Sequence, residues 1–431
     1  MAARINWKKL ATGLVLLMAG GLFSFVHAQQ PDIITVPFGQ QHEAQIEVYT
    51  SSAPRATLIW HPHEVGIQAV DQQLAADLAK RGIDVWLVDL LESSFLPNTT
   101  NNMDRLSGDG FAALIRAAQS KRRPVIIASS GRGAIPLLRG ARQWQLANPD
   151  DTTLAGAILI SPKLYVETPQ PGKKAEFMPV TLATNLPIVI LQPNKSPWFW
   201  KLTDTIAALQ QGGSDVYLWP LNELRDRFYF RPDANDYEVS QTRTLANKLH
   251  TAANLLTRLT PAPRRAVADI KADPKVREGK PDRSLAQFQG DPQPPPLALP
   301  DLQGRIIDLR DLHGQVVLVN FWASWCPPCV HEMPSMQRLM DQMQGKPFTI
   351  LGVNMAEDEQ TIRQFLTTRV NVRFPIVLDK DGHALKQWGV FAFPTSYVID
   401  KQGKIRYALF GSVEWDEPSI VEKITALVNA R

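Results

Sequence analysis

The stretch VVLVNFWASWCPPCVHEMP, Val316 to Pro334, contains Cys326 and Cys329, the only two cysteines in a chain of 431 residues. Its first seven residues are apolar apart from Asn320 and read as a buried strand, and the residues from Pro327 onward read as a helix. Cys326 therefore stands where strand turns into helix. Unpaired backbone N–H groups and the helix dipole favour a thiolate there. Cys329 lies one turn further in, close enough to attack a mixed disulfide on Cys326. Pro327 and Pro328 fall in the first helical turn, where a missing N–H breaks nothing. They also withdraw two donors from the thiolate.

Other uses of such a pair meet obstacles in the sequence. Zinc needs a second pair of ligands, and His331 alone leaves the site incomplete. Covalent haem attachment needs a histidine directly after the second cysteine, where Val330 stands. A structural disulfide over so short a loop adds little stability. A redox-active pair, with neither metal nor further cofactor, is the expectation.

The surrounding pattern places the pair in a fold. QVVLVNFWA, FTILGVN, PIVLD, TSYVID and KIRYALF read as strands, with helical EDEQTIRQFLTTR and EPSIVEKITALVNA. A βαβ unit, a hairpin turning at KQG and a final helix make a thioredoxin-like order. Together with GVFAFPTSYVIDKQGKI (389–405), the opening stretch resembles the TlpA/ResA-type thiol–disulfide oxidoreductases of the bacterial envelope, from about Pro295 onward.

That resemblance implies several residue roles. Pro394 matches the family's cis-proline facing the cysteines, with a backbone edge at Phe393 that pairs with the substrate chain. Trp325 lies at the rim of the site and Trp322 in the core. Glu332 matches the family's acid, three residues after the second cysteine and on the same helix face, where burial would raise its pKa. Its other reading is an exposed glutamate answering the helix dipole. Asn320 stands where ordinary thioredoxins carry an aspartate, and an added helix between Val353 and Asp379 fits the same family. The implied partners are disulfide-containing envelope proteins, apocytochrome c among the candidates, and a membrane thiol-electron carrier as reductant.

The N-terminus carries Arg4, Lys8 and Lys9 before an uncharged run from Leu10 to Val26. Val26-His27-Ala28 supplies small residues for a signal peptidase, so residues 1–28 are expected to be removed and the rest exported to a periplasm. An uncleaved anchor is the alternative. The chain's net charge of +4 includes those three cations, leaving +1 without them. Nothing in that balance calls for a nucleic-acid partner.

Between residues 29 and 260, short apolar runs such as ATLIW, PVIIAS, AGAILIS and LPIVILQ alternate with helical patterns, predicting an α/β domain with a mostly parallel sheet. Residues 261–292 are charged and proline-rich and read as a linker. The second domain then covers 293–431. PVIIASSGRGAIPLL, Pro124 to Leu138, is similar to the strand–elbow–helix of α/β-hydrolases, with Ser130 at the nucleophile position. Ala128 and Arg132 replace the usual glycines, and WHPHEVG lacks those of an oxyanion loop. Asn194 stands where an acid is expected. His250, mid-helix, is the only later histidine before the linker, and a serine without a base is a poor nucleophile. The domain reads as a non-catalytic scaffold. For the whole chain, a periplasmic protein disulfide reductase is the leading expectation. A disulfide oxidase, a redox-switched binding protein and a bifunctional enzyme with a working hydrolase stay open beside it.

Overall fold

The computed structural model describes residues 30–259, 262–266, 270–274 and 284–430. The expected signal segment lies outside these residues. No helix among them is long and apolar enough to cross a membrane.

The N-terminal half forms an eight-stranded sheet from β1 (Asp32–Phe38), β2 (His42–Tyr49), β3 (Ala56–His61), β4 (Ile83–Val88), β5 (Val125–Ser130), β6 (Leu154–Ile160), β7 (Ile188–Lys195) and β8 (Val216–Arg225). Its order is β1-β2-β4-β3-β5-β6-β7-β8. Strands from β4 to β8 run parallel, and β1 and β2 are antiparallel additions at one edge. Strands β3, β4 and β5 are buried along their whole length, because helices cover both faces. Ala69–Ala79 and Asp236–Arg258 cover one face, and Asp109–Gln119 and Ala134–Ala147 the other. The β1–β2 hairpin alternates exposed and buried residues and so carries no continuous apolar run.

The C-terminal half is built on β12 (Val316–Trp322), buried at every residue. Strand β13 (Phe348–Met355) pairs parallel to it, with β14 (Ile376–Asp379) outside. On its other side come β15 (Thr395–Ile399) and β16 (Ile405–Phe410), both antiparallel. The helices Pro327–Gln342 and Pro418–Asn429 bury Met333, Met336, Ile420 and Ile424 in one core. The β15–β16 hairpin turns through Gly403 at φ +73°, a conformation open to glycine at little cost. The added helix is Glu359–Thr368. A small hairpin, β10 (Ala298–Pro300) with β11 (Ile306–Asp308), precedes β12.

The linker differs from its reading at both ends. Ala286–Gln287 (β9) joins β16 as the edge strand of the second sheet, and the N–H of Phe288 donates to the Arg406 carbonyl. Leu285 is buried in that domain's core, with its carbonyl accepting from Lys423 Nζ at 2.7 Å. The second domain thus begins by Leu285 rather than at residue 293. One leucine and two paired residues suffice at a sheet edge, too small a signal to stand out in a polar stretch. At the other end, Arg264 donates to the Asn185 carbonyl at 2.6 Å and pairs with Asp215, while Arg139 pairs with Asp273 at 2.9 Å. These described linker residues lie along the first domain.

Candidate active site

Cys326 caps the helix that begins at Pro327, with φ −101° and ψ 100°, and accepts the Cys329 N–H on Sγ at 3.3 Å. The prolines at the first two helical positions remove N–H groups that would also have pointed at the sulfur. The two cysteines are joined in a disulfide. Cys326 is 6% exposed and Cys329 is fully buried, so a partner meets Cys326 first. Pro327 and Pro328 lie exposed beside it.

Glu332, three residues after Cys329 on the same helix, is fully buried. Its Oε1 accepts from Asn320 Nδ2 at 2.8 Å and its Oε2 from Trp415 Nε1 at 3.1 Å. Asn320 also donates to Ser396 Oγ at 2.9 Å. Burial pushes the carboxyl up to about 8, further than these two donors can hold it down. Asn320 thus supplies a neutral donor to Glu332 instead of a second buried acid. Trp415, at the end of the last loop, had no signal linking it to a glutamate 83 residues earlier.

The Phe393–Pro394 peptide bond is cis. Phe393 packs edge-on against Trp325, with ring centroids 5.8 Å apart, and both are half-buried. The turn before Cys326 is held by Glu357, whose carboxylate accepts from the N–H and hydroxyl of Ser324 and from Asn354 Nδ2 at 2.8 Å. Sequence reading missed this buried glutamate, which lies 33 residues from Ser324 and shares no spacing pattern with it. His331 is exposed and points toward Glu414 at 3.5 Å. Among the described residues, no group of three His, Cys, Asp or Glu side chains could hold a metal ion.

The elbow in the first domain is shifted by one residue from its sequence reading. Strand β5 runs through Ser130, which has an ordinary extended backbone at φ −125°. The apex with positive φ is Gly131, at +57°. A glycine at the apex has no nucleophile to offer. Ser130 is buried, and its Oγ accepts the Tyr229 hydroxyl at 2.8 Å. Tyr229, a phenol held well above its usual range by burial, lies after the final strand, where a hydrolase triad would carry its histidine. Glu64 brings a carboxylate oxygen within 3.0 Å of where a Gly131 side chain would start, a poor neighbour for a developing oxyanion. His63 accepts the Val65 N–H on Nδ1 at 3.1 Å, which leaves its proton on Nε2, and burial lowers its pKa to about 3. Asn194 is engaged by the Glu223 N–H at 2.8 Å, and His250 lies on the Asp236–Arg258 helix with Asn254 beside it. Arg132 is buried in a paired contact with Asp104 instead of crowding the turn.

Comparison with known proteins places the similarity in the second domain. The profile of the AhpC/TSA family matches residues 290–408. A thiol-disulfide oxidoreductase ResA from Halalkalibacterium halodurans is 39% identical over 124 residues, covering 29% of this chain and 69% of that protein. The ResA of Bacillus thuringiensis subsp. konkukian is 37% identical over 111 residues, or 26% of this chain. The match spans 64% of that relative's length, just under two thirds. A crystal structure of a thiol:disulfide interchange protein of the thioredoxin family from Chlorobium tepidum is 24% identical. It covers 32% of this chain and 98% of its own, with a TM-score of 0.29.

Proposed function

Because the chain belongs, through its C-terminal domain, to the ResA family of thiol–disulfide oxidoreductases, we propose that it reduces disulfides in exported proteins. In its reduced form, the Cys326 thiolate attacks one sulfur of a substrate disulfide, forming a mixed disulfide and releasing the other sulfur as a thiolate. Cys329 then gives up its proton to Glu332 and attacks Cys326 Sγ. The Cys326–Cys329 disulfide forms and the second substrate sulfur leaves as a thiolate, so two electrons pass from the dithiol to the substrate, while its two thiolates take one proton from Glu332 and one from water. A thiol-electron donor restores the dithiol. Phe393 and Pro394 shape the edge along which the substrate chain lies, and Trp325 forms its rim. Apocytochrome c is one candidate substrate, a membrane thiol carrier the reductant, and the periplasm the compartment.

The observation that carries this reading is the disulfide at a helix N-terminus, one turn above a buried carboxyl whose pKa is raised to about 8. A group with that midpoint gives and takes protons near neutral pH. The first domain is read as a hydrolase-like scaffold without hydrolytic chemistry, because its apex is Gly131 and its Ser130 faces Tyr229.

The thiolate's surroundings support the reducing direction. One backbone N–H reaches Cys326 Sγ, at 3.3 Å, and two prolines withhold theirs. Weak stabilisation of the thiolate weakens the dithiol relative to the disulfide, which makes the couple reducing. A midpoint below about −220 mV at neutral pH is expected from equilibration with glutathione or dithiothreitol buffers. A value above about −180 mV would assign the protein to disulfide formation instead.

A further inference from the structure

Phe391 is the point at which the first domain touches the segment facing the redox pair. It is 8% exposed. Trp198 and Tyr165 of the first domain approach its ring at centroid distances of 6.3 and 6.2 Å. Lys201 Nζ stands 4.7 Å from the ring centre and donates to the Lys386 carbonyl at 3.4 Å. Two residues beyond Phe391, Phe393 packs on Trp325, the residue before Cys326. The first domain is therefore linked to the residue before the nucleophile through the Phe391 ring, the backbone of Ala392 and the Phe393 ring.

Both sides of this contact are fixed. Trp200 Nε1 meets Met355 Sδ at 3.3 Å, and its ring lies so close over Gly382 that a Cβ there would come within 2.5 Å of it. Gly382 also has φ +66°, so its backbone and its neighbour both require glycine. On the other side, Arg132 donates to the carbonyls of Tyr165 and, at 3.1 Å, Val166, while its ion pair with Asp104 anchors it. Tyr165 stacks on Phe177 with ring centres 4.5 Å apart. Arg132, the residue directly after the Gly131 apex, thus holds the loop that reaches the second domain. Lys201 is 7% exposed, and burial lowers its pKa. Lysine is seldom buried without a partner, and here the partners are an aromatic face and a carbonyl across the domain boundary.

We propose that Trp198 and Lys201 are positioning residues of the redox centre. Acting through Phe391, they hold Val390–Phe393 against Trp325 so that an extended polypeptide can pair along that segment. The first domain thereby selects polypeptide disulfides over small ones. A small disulfide needs only Cys326 and gains nothing from an aligned edge. This inference rests on the reductase reading and on its placing the substrate along Phe393.

The test uses the full-length protein, regenerated by dithiothreitol with the uncatalysed rate subtracted, and two oxidants, a disulfide-bridged peptide and hydroxyethyl disulfide. Loss of one aromatic contact at the interface is expected to raise KM for the peptide about fivefold in Trp198→Ala. Its kcat, its reaction with hydroxyethyl disulfide and its midpoint potential are expected to stay unchanged. Trp198→Phe should restore most of the peptide KM. Lys201→Met, which keeps the aliphatic stem, should shift it in the same direction as Trp198→Ala. An equal loss toward both oxidants would make the contact merely structural and overturn the proposal, as would an unaltered peptide KM in both Trp198→Ala and Lys201→Met. A wild-type protein that reduces neither oxidant would sink the reductase reading itself, and the inference with it.

Discussion

Alanine at Cys326 is expected to lower multiple-turnover reduction of a protein disulfide by roughly a thousandfold or more, the scale set by loss of an enzyme's nucleophile. Cys329 cannot take over, because it is fully buried whereas Cys326 retains a 6% opening. The partner variant differs in form. Cys329→Ala keeps the attacking sulfur at the helix N-terminus, so one equivalent of substrate thiol should still be released in the first encounter. Turnover then stops, because the described structure has no free cysteine to resolve the intermediate. Stopped-flow measurement of released thiol separates the two cases. A single-turnover burst in Cys326→Ala equal to that of Cys329→Ala would reverse or dissolve the assignment.

The second large effect belongs to Glu332. Its folded-state pKa of about 8 lies above the ordinary 4.5. Between those values the folded protein holds a proton that the unfolded chain has released. Folding stability therefore falls as pH rises through this window, and is greatest below the unfolded value. The shift corresponds to a loss of up to roughly 5 kcal/mol between acid and alkaline ends. Glu332→Gln stays neutral throughout. A flip of the Asn320 amide lets its oxygen receive the new amide N–H, while Trp415 keeps its acceptor. Urea unfolding of both proteins at pH 5 to 9 should show the wild type losing stability relative to the variant as pH rises. Resolution of the mixed disulfide should slow by roughly a hundredfold in the variant, the lower range for removal of a positioned acid–base group. The wild-type rate should climb with pH towards about 8, the carboxyl's own midpoint, and that inflection should vanish in the variant. Parallel stability curves together with identical rate profiles would return Glu332 to a purely packing role.

Much of the second domain was legible because its chemistry is local in the chain. Cys326, Cys329 and Glu332 lie within seven residues on one helix, and Val316–Trp322 is apolar enough to mark the strand that carries them. What closes the site comes from afar. Trp415, Ser396 and Glu357 reach it from separate loops and strands, and a single sequence records no such pairing. The start of the domain is hidden for a related reason, since Leu285 counts as core only once β16 lies beside it. In the first domain the strands were legible from continuous apolar runs, but the frame at Ser130 was not. Ser129, Ser130, Gly131 and Gly133 are all small, and only the backbone angles decide which of them takes the apex. The aromatic run Trp198-Phe199-Trp200 gave no sign of its role, because its partners Phe391, Met355 and Gly382 belong to the other domain.

Mixed-disulfide capture tests the central claim most directly. Reduced Cys329→Ala would be mixed with a disulfide-bridged peptide, quenched with acid, alkylated and mapped by mass spectrometry. The expected product is a stable one-to-one adduct joined through Cys326 Sγ, with little adduct formed by Cys326→Ala under the same conditions. Failure of Cys329→Ala to accumulate any adduct, or equal accumulation by both variants, would contradict attack by Cys326 and resolution by Cys329.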